Sequence, residues 1–295
     1  MSKNFFAKTF TLNNGLKIPC IGYGTWELPE GGKTISAVKG ALSAGYQHID
    51  TAAAYENEKS VSLAIKEANM SRNEVFITSK VWLTSMGYDK TLVSFDKTLK
   101  ALDTDYLDLL LIHVPAVESM IEQWQELNLS TWRAMERLYK EGAVKSIGVS
   151  NFLPHHLNPL LEKAEIVPMV NQLEFHPGYM QKEAIDLCKV NNILPEAWSP
   201  LGNGKLLADS TLADIAEHYN KTPGQICVKW SLQHGVLPLP KSLSPAHVSE
   251  NLNVFDFEIS DEDMQIIDAL PHIGGVFWNM DEPRKLFYLA RELNP

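Results

Sequence analysis

Apolar residues fall along this chain in short runs bounded by polar or turn-forming residues. Ile21–Gly22, Tyr46–Ile49, Val75–Ser79, Leu107–Ile112, Ala143–Val149, Met169–Leu173, Leu194–Ala197 and Val236–Leu239 read as buried strands. Between them apolar positions recur at helical spacing, over Lys33–Ala44, Lys90–Leu102, Leu129–Lys140 and Ala184–Val190. Thr211–Tyr219 and Gln225–Gln233 predict two helices joined at Thr222-Pro223, where proline suits a helix start. Ahead of the first run, Asn13-Asn14-Gly15 separates Phe10–Leu12 from Leu16–Ile18 and predicts a hairpin. Apolar strands alternating with amphipathic helices imply a parallel sheet covered by helices.

The polar residues that follow these runs narrow the architecture. Asp50, Lys80, His113, Asn151, Gln172, Ser199 and Lys241 follow strands two to eight. Their mean separation is about 32 residues, close to the ~31 expected when ~250 residues build eight βα units. A doubly wound nucleotide-binding fold would also alternate, but it needs a glycine-rich fingerprint after its first strand. Gly22-Tyr23-Gly24 lacks the third glycine. The expected fold is therefore α/β, a (β/α)8 TIM barrel with an N-terminal β-hairpin, forming one domain over residues 1–295.

In such a barrel the strand ends share one mouth, so a carboxylate (Asp50), a phenol (Tyr55), an ammonium (Lys80) and an imidazole (His113) converge. An ammonium beside a phenol stabilises the phenolate and lowers a pKa otherwise near ~10. That arrangement makes tyrosine a proton donor and points to carbonyl reduction by hydride transfer. Asp50 and Lys80 taken alone would be an ordinary ion pair; the phenol and imidazole at matching strand ends make the difference.

His48-Ile-Asp50-Thr-Ala-Ala-Ala-Tyr55-Glu-Asn-Glu58 resembles the first signature of the aldo-keto reductases. Gly148-Val-Ser150-Asn151-Phe152 is similar to part of the second, and Leu239-Pro-Lys241-Ser242 through Glu250-Asn251 to the third. The resemblance covers roughly residues 8–270, in order. Ala197-Trp198-Ser199-Pro200-Leu201-Gly202 is more similar to the bacterial branch that includes 2,5-diketo-gluconate and glyoxal reductases, animal members usually carrying tyrosine at that tryptophan.

The resemblance implies roles residue by residue. Tyr55 is the general acid, Lys80 lowers its pKa, Asp50 pairs with Lys80, and His113, in an Ile-His-x-Pro run, orients the substrate carbonyl. Ser150, Asn151 and Gln172 hold the nicotinamide carboxamide, and Trp198 stacks on its ring. Thr25, Ser199 and Leu201 fall within the family's cofactor site. Lys241 and Ser242 fall where the adenosine 2′-phosphate binds, with Ser244, Glu250 and Asn251 as further nucleotide contacts. His247 stands where an arginine usually clamps the phosphate, and histidine cannot form that bidentate fork. The implied cofactor is NADPH, with NADH at lower preference. Trp26 and Trp82 wall an apolar substrate cleft, and Val114 replaces a common tryptophan and enlarges one side. Beyond Leu270 the resemblance fades. His272–Pro283 reads as a loop carrying Phe277, Trp278 and Met280, with Trp278 a substrate contact in a lid; a strap on the barrel side is the alternative. Arg284–Leu293 reads as a short terminal helix, completing a C-terminal loop and helix extension.

Composition limits the partners. With 26 basic and 36 acidic residues the net charge is -10, which disfavours nucleic acid as a partner. No run approaches a membrane span, and Met1–Phe10 has no apolar core of signal-peptide length. Cys20, Cys188 and Cys227 show no CxxC spacing and read as buried free thiols of a reducing compartment. A cytoplasmic monomer acting on a small-molecule carbonyl is expected. No metal site is expected: His155-His156 and His176 read as helix-surface residues, the adjacent pair pointing apart. Gly202-Asn203-Gly204-Lys205 lacks phosphate-loop spacing and reads as a flexible loop over the cofactor. Two rivals stand beside the reductase: a cofactor-binding regulatory member of the superfamily with little turnover, and a Schiff-base aldolase using Lys80 as nucleophile.

Overall fold

The computed structural model describes residues 8–119 and 121–275. Its centre is a curled sheet of eight parallel strands: β3 (Tyr23–Gly24), β4 (His48–Asp50), β5 (Phe76–Val81), β6 (Leu109–Ile112), β7 (Ile147–Ser150), β8 (Val170–Glu174), β9 (Leu194–Trp198) and β10 (Leu237–Pro238). Each strand pairs with the next in chain order. The first and last also meet, since the Gly22 and Gly24 N–H groups donate to the Pro238 and Pro240 carbonyls at 3.1 and 3.4 Å. Ahead of the sheet, β1 (Thr9–Thr11) and β2 (Lys17–Pro19) form the expected antiparallel hairpin. Asn13 Nδ2 donates to the Pro168 carbonyl and Asn14 Nδ2 to that of Lys145, both at 3.0 Å. Those residues precede β8 and β7, so the hairpin lies at the strand N-termini, opposite the mouth.

Ten α-helices cover the sheet among the described residues: α1 (Gly32–Ala44), α2 (Glu58–Glu67), α3 (Tyr88–Leu102), α4 (Trp124–Lys140), α5 (Pro154–Leu161), α6 (Lys182–Val190), α7 (Ser210–His218), α8 (Pro223–Gln233), α9 (Pro245–Leu252) and α10 (Asp261–Asp268). The proline at Thr222-Pro223 does open a helix. Thr222 Oγ1 accepts from the Gln225 N–H while Gln225 Oε1 accepts from the Thr222 N–H, a reciprocal cap for the first turn of α8. Trp132 and Trp230 are fully buried beneath the helices, each with its indole N–H satisfied, by the Ile166 carbonyl and Asp268 Oδ1.

The strand interior is where packing and chemistry compete. Side chains alternate along a strand, so His48 and Asp50 share one face, as do Thr78 and Lys80. Glycine makes the room: a Cβ on Gly22 would lie 2.6 Å from His48 Nδ1, and one on Gly148 2.5 Å from the Val170 carbonyl oxygen. Several strand positions differ from the expectation. The first strand is Tyr23–Gly24, because its ladder begins where Tyr23 meets Ile49. Lys80 lies inside β5, whose six residues are all buried, and not after it. Its charge is neutralised within the sheet interior, so the strand need not end there.

Candidate active site

The C-terminal ends of the strands surround a cavity of about 970 Å³. At its floor Lys80, fully buried, directs its ammonium to three acceptors: Asp50 Oδ1 at 2.7 Å, the Thr51 carbonyl at 3.0 Å and Tyr55 Oη at 3.2 Å. An ammonium has three N–H bonds, and all three are engaged. Burial pulls the Lys80 pKa down, but Asp50 and then Tyr55 outweigh it, and the net direction is up. Lys80 is therefore held as a cation.

Tyr55 ends a 3₁₀ turn, Ala53–Tyr55, just beyond β4. Here the expectation of a lowered pKa is corrected. Burial of the hydroxyl raises it more than the Lys80 charge lowers it, and Asp50 adds to the rise, so the net shift is upward. The reason is desolvation: a phenolate in this site loses more hydration than one ammonium, already paired with Asp50, returns. The phenol thus remains protonated, as a donor must.

His113 follows β6, its ring edge-on to Tyr55 and Trp82 at centroid distances of 5.5 and 4.9 Å. Burial, with Lys80 nearby, holds its pKa well below the usual imidazole range, so the ring is neutral. Nδ1 is buried without a partner among the described residues. Nε2 is left as the nitrogen able to meet a ligand.

Along one side of the cavity Ser150 Oγ donates to the Gln172 carbonyl at 2.9 Å. Asn151, at φ +64°, is occupied by the protein itself: Nδ2 donates to the His113 carbonyl and to Ser150 Oγ, and Oδ1 accepts from the Trp198 indole at 3.0 Å. Asn151 thereby braces Trp198, whose ring lines the cavity. The side-chain nitrogen of Gln172 donates to Asp50 Oδ2 at 2.8 Å and to Glu196 Oε2 at 2.9 Å. Its Oε1 makes no hydrogen bond among the described residues.

Trp26, Trp82 and Val114 also line the cavity, as do Ser199, Leu201 and Lys241. The Lys241 ammonium donates to the Trp26 carbonyl at 2.9 Å and pairs with Glu27 at 3.3 Å, bridging the loops that follow the first and last strands. Thr25 lies just behind, its hydroxyl on the Asp50 carbonyl at 3.0 Å. Ser242 and Ser244 are turn residues next to Lys241, the Ser244 N–H on Ser242 Oγ, while His247, Glu250 and Asn251 ride on α9. These five do not line the cavity; His247 is exposed and Asn251 buried. Trp278 lies outside the described residues, as do Phe277, Met280 and Arg284–Leu293.

The histidine reading needs correction. His156 is buried in α5, and its ring lies 3.9 Å from that of His155 instead of pointing away. His176 is not helical: it is buried in the turn after β8, with Nε2 3.2 Å from Glu174 Oε1. Gly202–Ala208 is also no loose loop but a 3₁₀ segment, kinked at Asn203 and Gly204. Sequence reading assigned no role to Asn57, Glu58 or Glu196, all buried around the site. Asn57 ties together Thr51, Thr25 and Leu28, and Glu58 accepts from Ser79 at 2.6 Å. Burial raises the pKa of Glu58, and raises that of Glu196, with Asp50 adding, to about 8. A charged residue inside the apolar run Leu194–Ala197 was the available signal.

A parallel α/β sheet with a lysine–aspartate–tyrosine group at its strand ends thus defines the molecule. It is a member of the Aldo/keto reductase family, whose sequence profile matches residues 20–271. The chain is 48% identical over 274 residues to the glyoxal reductase of Bacillus subtilis (strain 168), spanning 93% of this chain and 96% of that protein. An aldo-keto reductase from a Medee basin deep-sea metagenome library superposes with a TM-score of 0.87 at 43% identity, covering 93% of this chain and 98% of the other. A Bombyx mori aldo-keto reductase, solved in complex with NADP, gives 0.83 at 31% identity, covering 92% and 94%. Among the described residues no helix is long and apolar enough to cross a membrane, and no group of His, Cys, Asp and Glu is placed to hold a metal.

Proposed function

We propose that this protein reduces aldehydes or ketones to alcohols with NADPH, and that Tyr55 supplies the proton. The observation that carries the reading is the Lys80 ammonium held between Asp50 and Tyr55 at the floor of the cavity. The eight strands, joined first to last, are read as a closed (β/α)8 barrel. The residues present fit the cofactor. Gln172 offers an unengaged carbonyl oxygen beside Ser150, matching a carboxamide N–H, and Trp198 offers a braced aromatic face. Lys241 with Ser242, Ser244, His247, Glu250 and Asn251 would hold the adenosine 2′-phosphate end, with Thr25, Ser199 and Leu201 along the cleft. When bound, the dihydronicotinamide supplies hydride to the carbonyl carbon.

Neutral His113 donates a hydrogen bond to the carbonyl oxygen and aims it at Tyr55. The phenolic proton passes to that oxygen as negative charge develops there, leaving a phenolate that Lys80 stabilises. Trp26, Trp82 and Val114 form the apolar wall against which the rest of the substrate packs. The substrate class is that of the bacterial glyoxal and 2,5-diketo-gluconate reductases, small carbonyl compounds. Tyr55→Phe tests the core of this reading. kcat should fall by about 10²–10⁴-fold while NADPH affinity is retained. A variant keeping more than about a tenth of wild-type kcat in a chemistry-limited assay would refute the proton-donor role.

A further inference from the structure

Glu196 sits mid-strand in β9, wholly buried, directly beside Gln172 in the β8–β9 register. The two N–H bonds of the Gln172 amide are divided between Asp50 Oδ2 and Glu196 Oε2. This division fixes the amide. A half-turn about its terminal bond would bring Oε1 against Oδ2 of Asp50, the carboxylate of the Lys80 ion pair, and Asp50 alone would leave the amide plane free to swing about a single hydrogen bond. With both acceptors in place, the nitrogen side is used up and Oε1 is the face presented to a ligand.

We infer that Glu196 is a positioning residue, which locks Gln172 as a hydrogen-bond acceptor toward the cavity and so selects a ligand that brings an amide N–H there. Resting on the dinucleotide reading above, this makes the carboxamide of the nicotinamide the group recognised. Two further observations support it. Burial, with Asp50 adding, raises the Glu196 carboxyl to about 8, so at neutral pH it can lie near Asp50 without like-charge repulsion. Its other oxygen, Oε1, is buried without a partner among the described residues, a desolvation cost that an apolar side chain would avoid.

The test compares binding of NADP and of its 3-acetylpyridine analogue, which has the same shape but no amide N–H, by tryptophan fluorescence at pH 7. Wild type should prefer NADP, and Glu196→Met should lose about tenfold in NADP affinity while the analogue changes little, so that the preference disappears. Glu196→Gln, whose own amide oxygen can take the same N–H, should restore the preference. 2′,5′-ADP, which lacks the nicotinamide end, should bind all three proteins alike. An unchanged preference in Glu196→Met, equal losses for every ligand, or a Gln variant as poor as the Met variant would each overturn the inference. Wild type that binds NADP and 2′,5′-ADP without preferring NADP over the analogue would overturn it while leaving the dinucleotide reading intact; failure to bind either would remove both.

Discussion

With three acceptors on three N–H bonds, Lys80 has no lone pair and no open approach. This decides against the Schiff-base rival, because a nucleophilic lysine must lose its proton and here the shift runs the other way. Lys80→Met removes the charge and the hydrogen bond that lower the Tyr55 pKa, so the phenol titrates at still higher pH. The alkaline limb of carbonyl reduction should move up, and alcohol oxidation, which needs the phenolate, should lose about 10²-fold or more near pH 8. Profiles against pH in both directions check this; an unmoved limb would mean the ammonium does not act on the phenol. The same variant strands Asp50 in the interior at a cost of about 3–5 kcal/mol, part of which Asp50→Asn in the same chain should recover. At this scale Asp50, Tyr55, Lys80 and His113 were legible because each interrupts or follows an apolar run. Glu196 interrupts one too, but sequence gives no sign that Gln172 and Asp50 meet it. The net rise at Tyr55 was not legible either, since it depends on how much water burial removes.

Strands were legible from their apolar runs, and their order from the even spacing of polar residues after them. Their limits were less so, because polar side chains that satisfy one another inside the sheet let β5 continue through Lys80. Element-scale predictions concern the pieces above the strands. Ile273 donates to the Gly178 carbonyl at 3.2 Å, which places the start of the C-terminal segment on the turn after β8, at the mouth. Gly178 has φ +77°, and a Cβ there would lie 2.7 Å from the Pro271 carbonyl oxygen. Gly178→Ala should therefore displace residues 271–273 and alter kcat/KM ratios between bulky and small carbonyls, with the NADPH Kd nearly unchanged. Uniform loss across substrates would separate this segment from the substrate pocket. On α9, His247→Arg should tighten NADPH more than NADH, by about 1.5–3 kcal/mol if the guanidinium reaches the 2′-phosphate. Equal changes in the two Kd values would mean residue 247 lies out of reach.

Across the whole molecule the acidic balance of the chain does not extend to the centre of the sheet. Beside the Lys80–Asp50 pair, His48 is pushed down to about 3 by burial and then Lys80, and Glu196 is pushed up, so both are neutral at pH 7. The sign for Glu196 follows from linkage. Below pH 4.5 it is protonated folded and unfolded; between 4.5 and about 8 only the folded state keeps the proton, so stability falls as pH rises through that window. Glu196→Gln should remove that slope, a difference of at most about 5 kcal/mol accumulated by pH 8. Denaturant titrations of both proteins at several pH values check it, and parallel curves would mean that Glu196 is ionised in the folded state. The cysteines share this interior. Cys20, Cys188 and Cys227 are all free and buried, and burial lifts each thiol above its ordinary pKa, Cys20 and Cys188 to about 11. Carbonyl compounds are electrophiles that react with a protein's own nucleophiles, and thiolates are the fastest to be modified. Here none of the three sulfurs lines the cavity, and iodoacetamide should label none of them in the folded protein and all of them once it is unfolded.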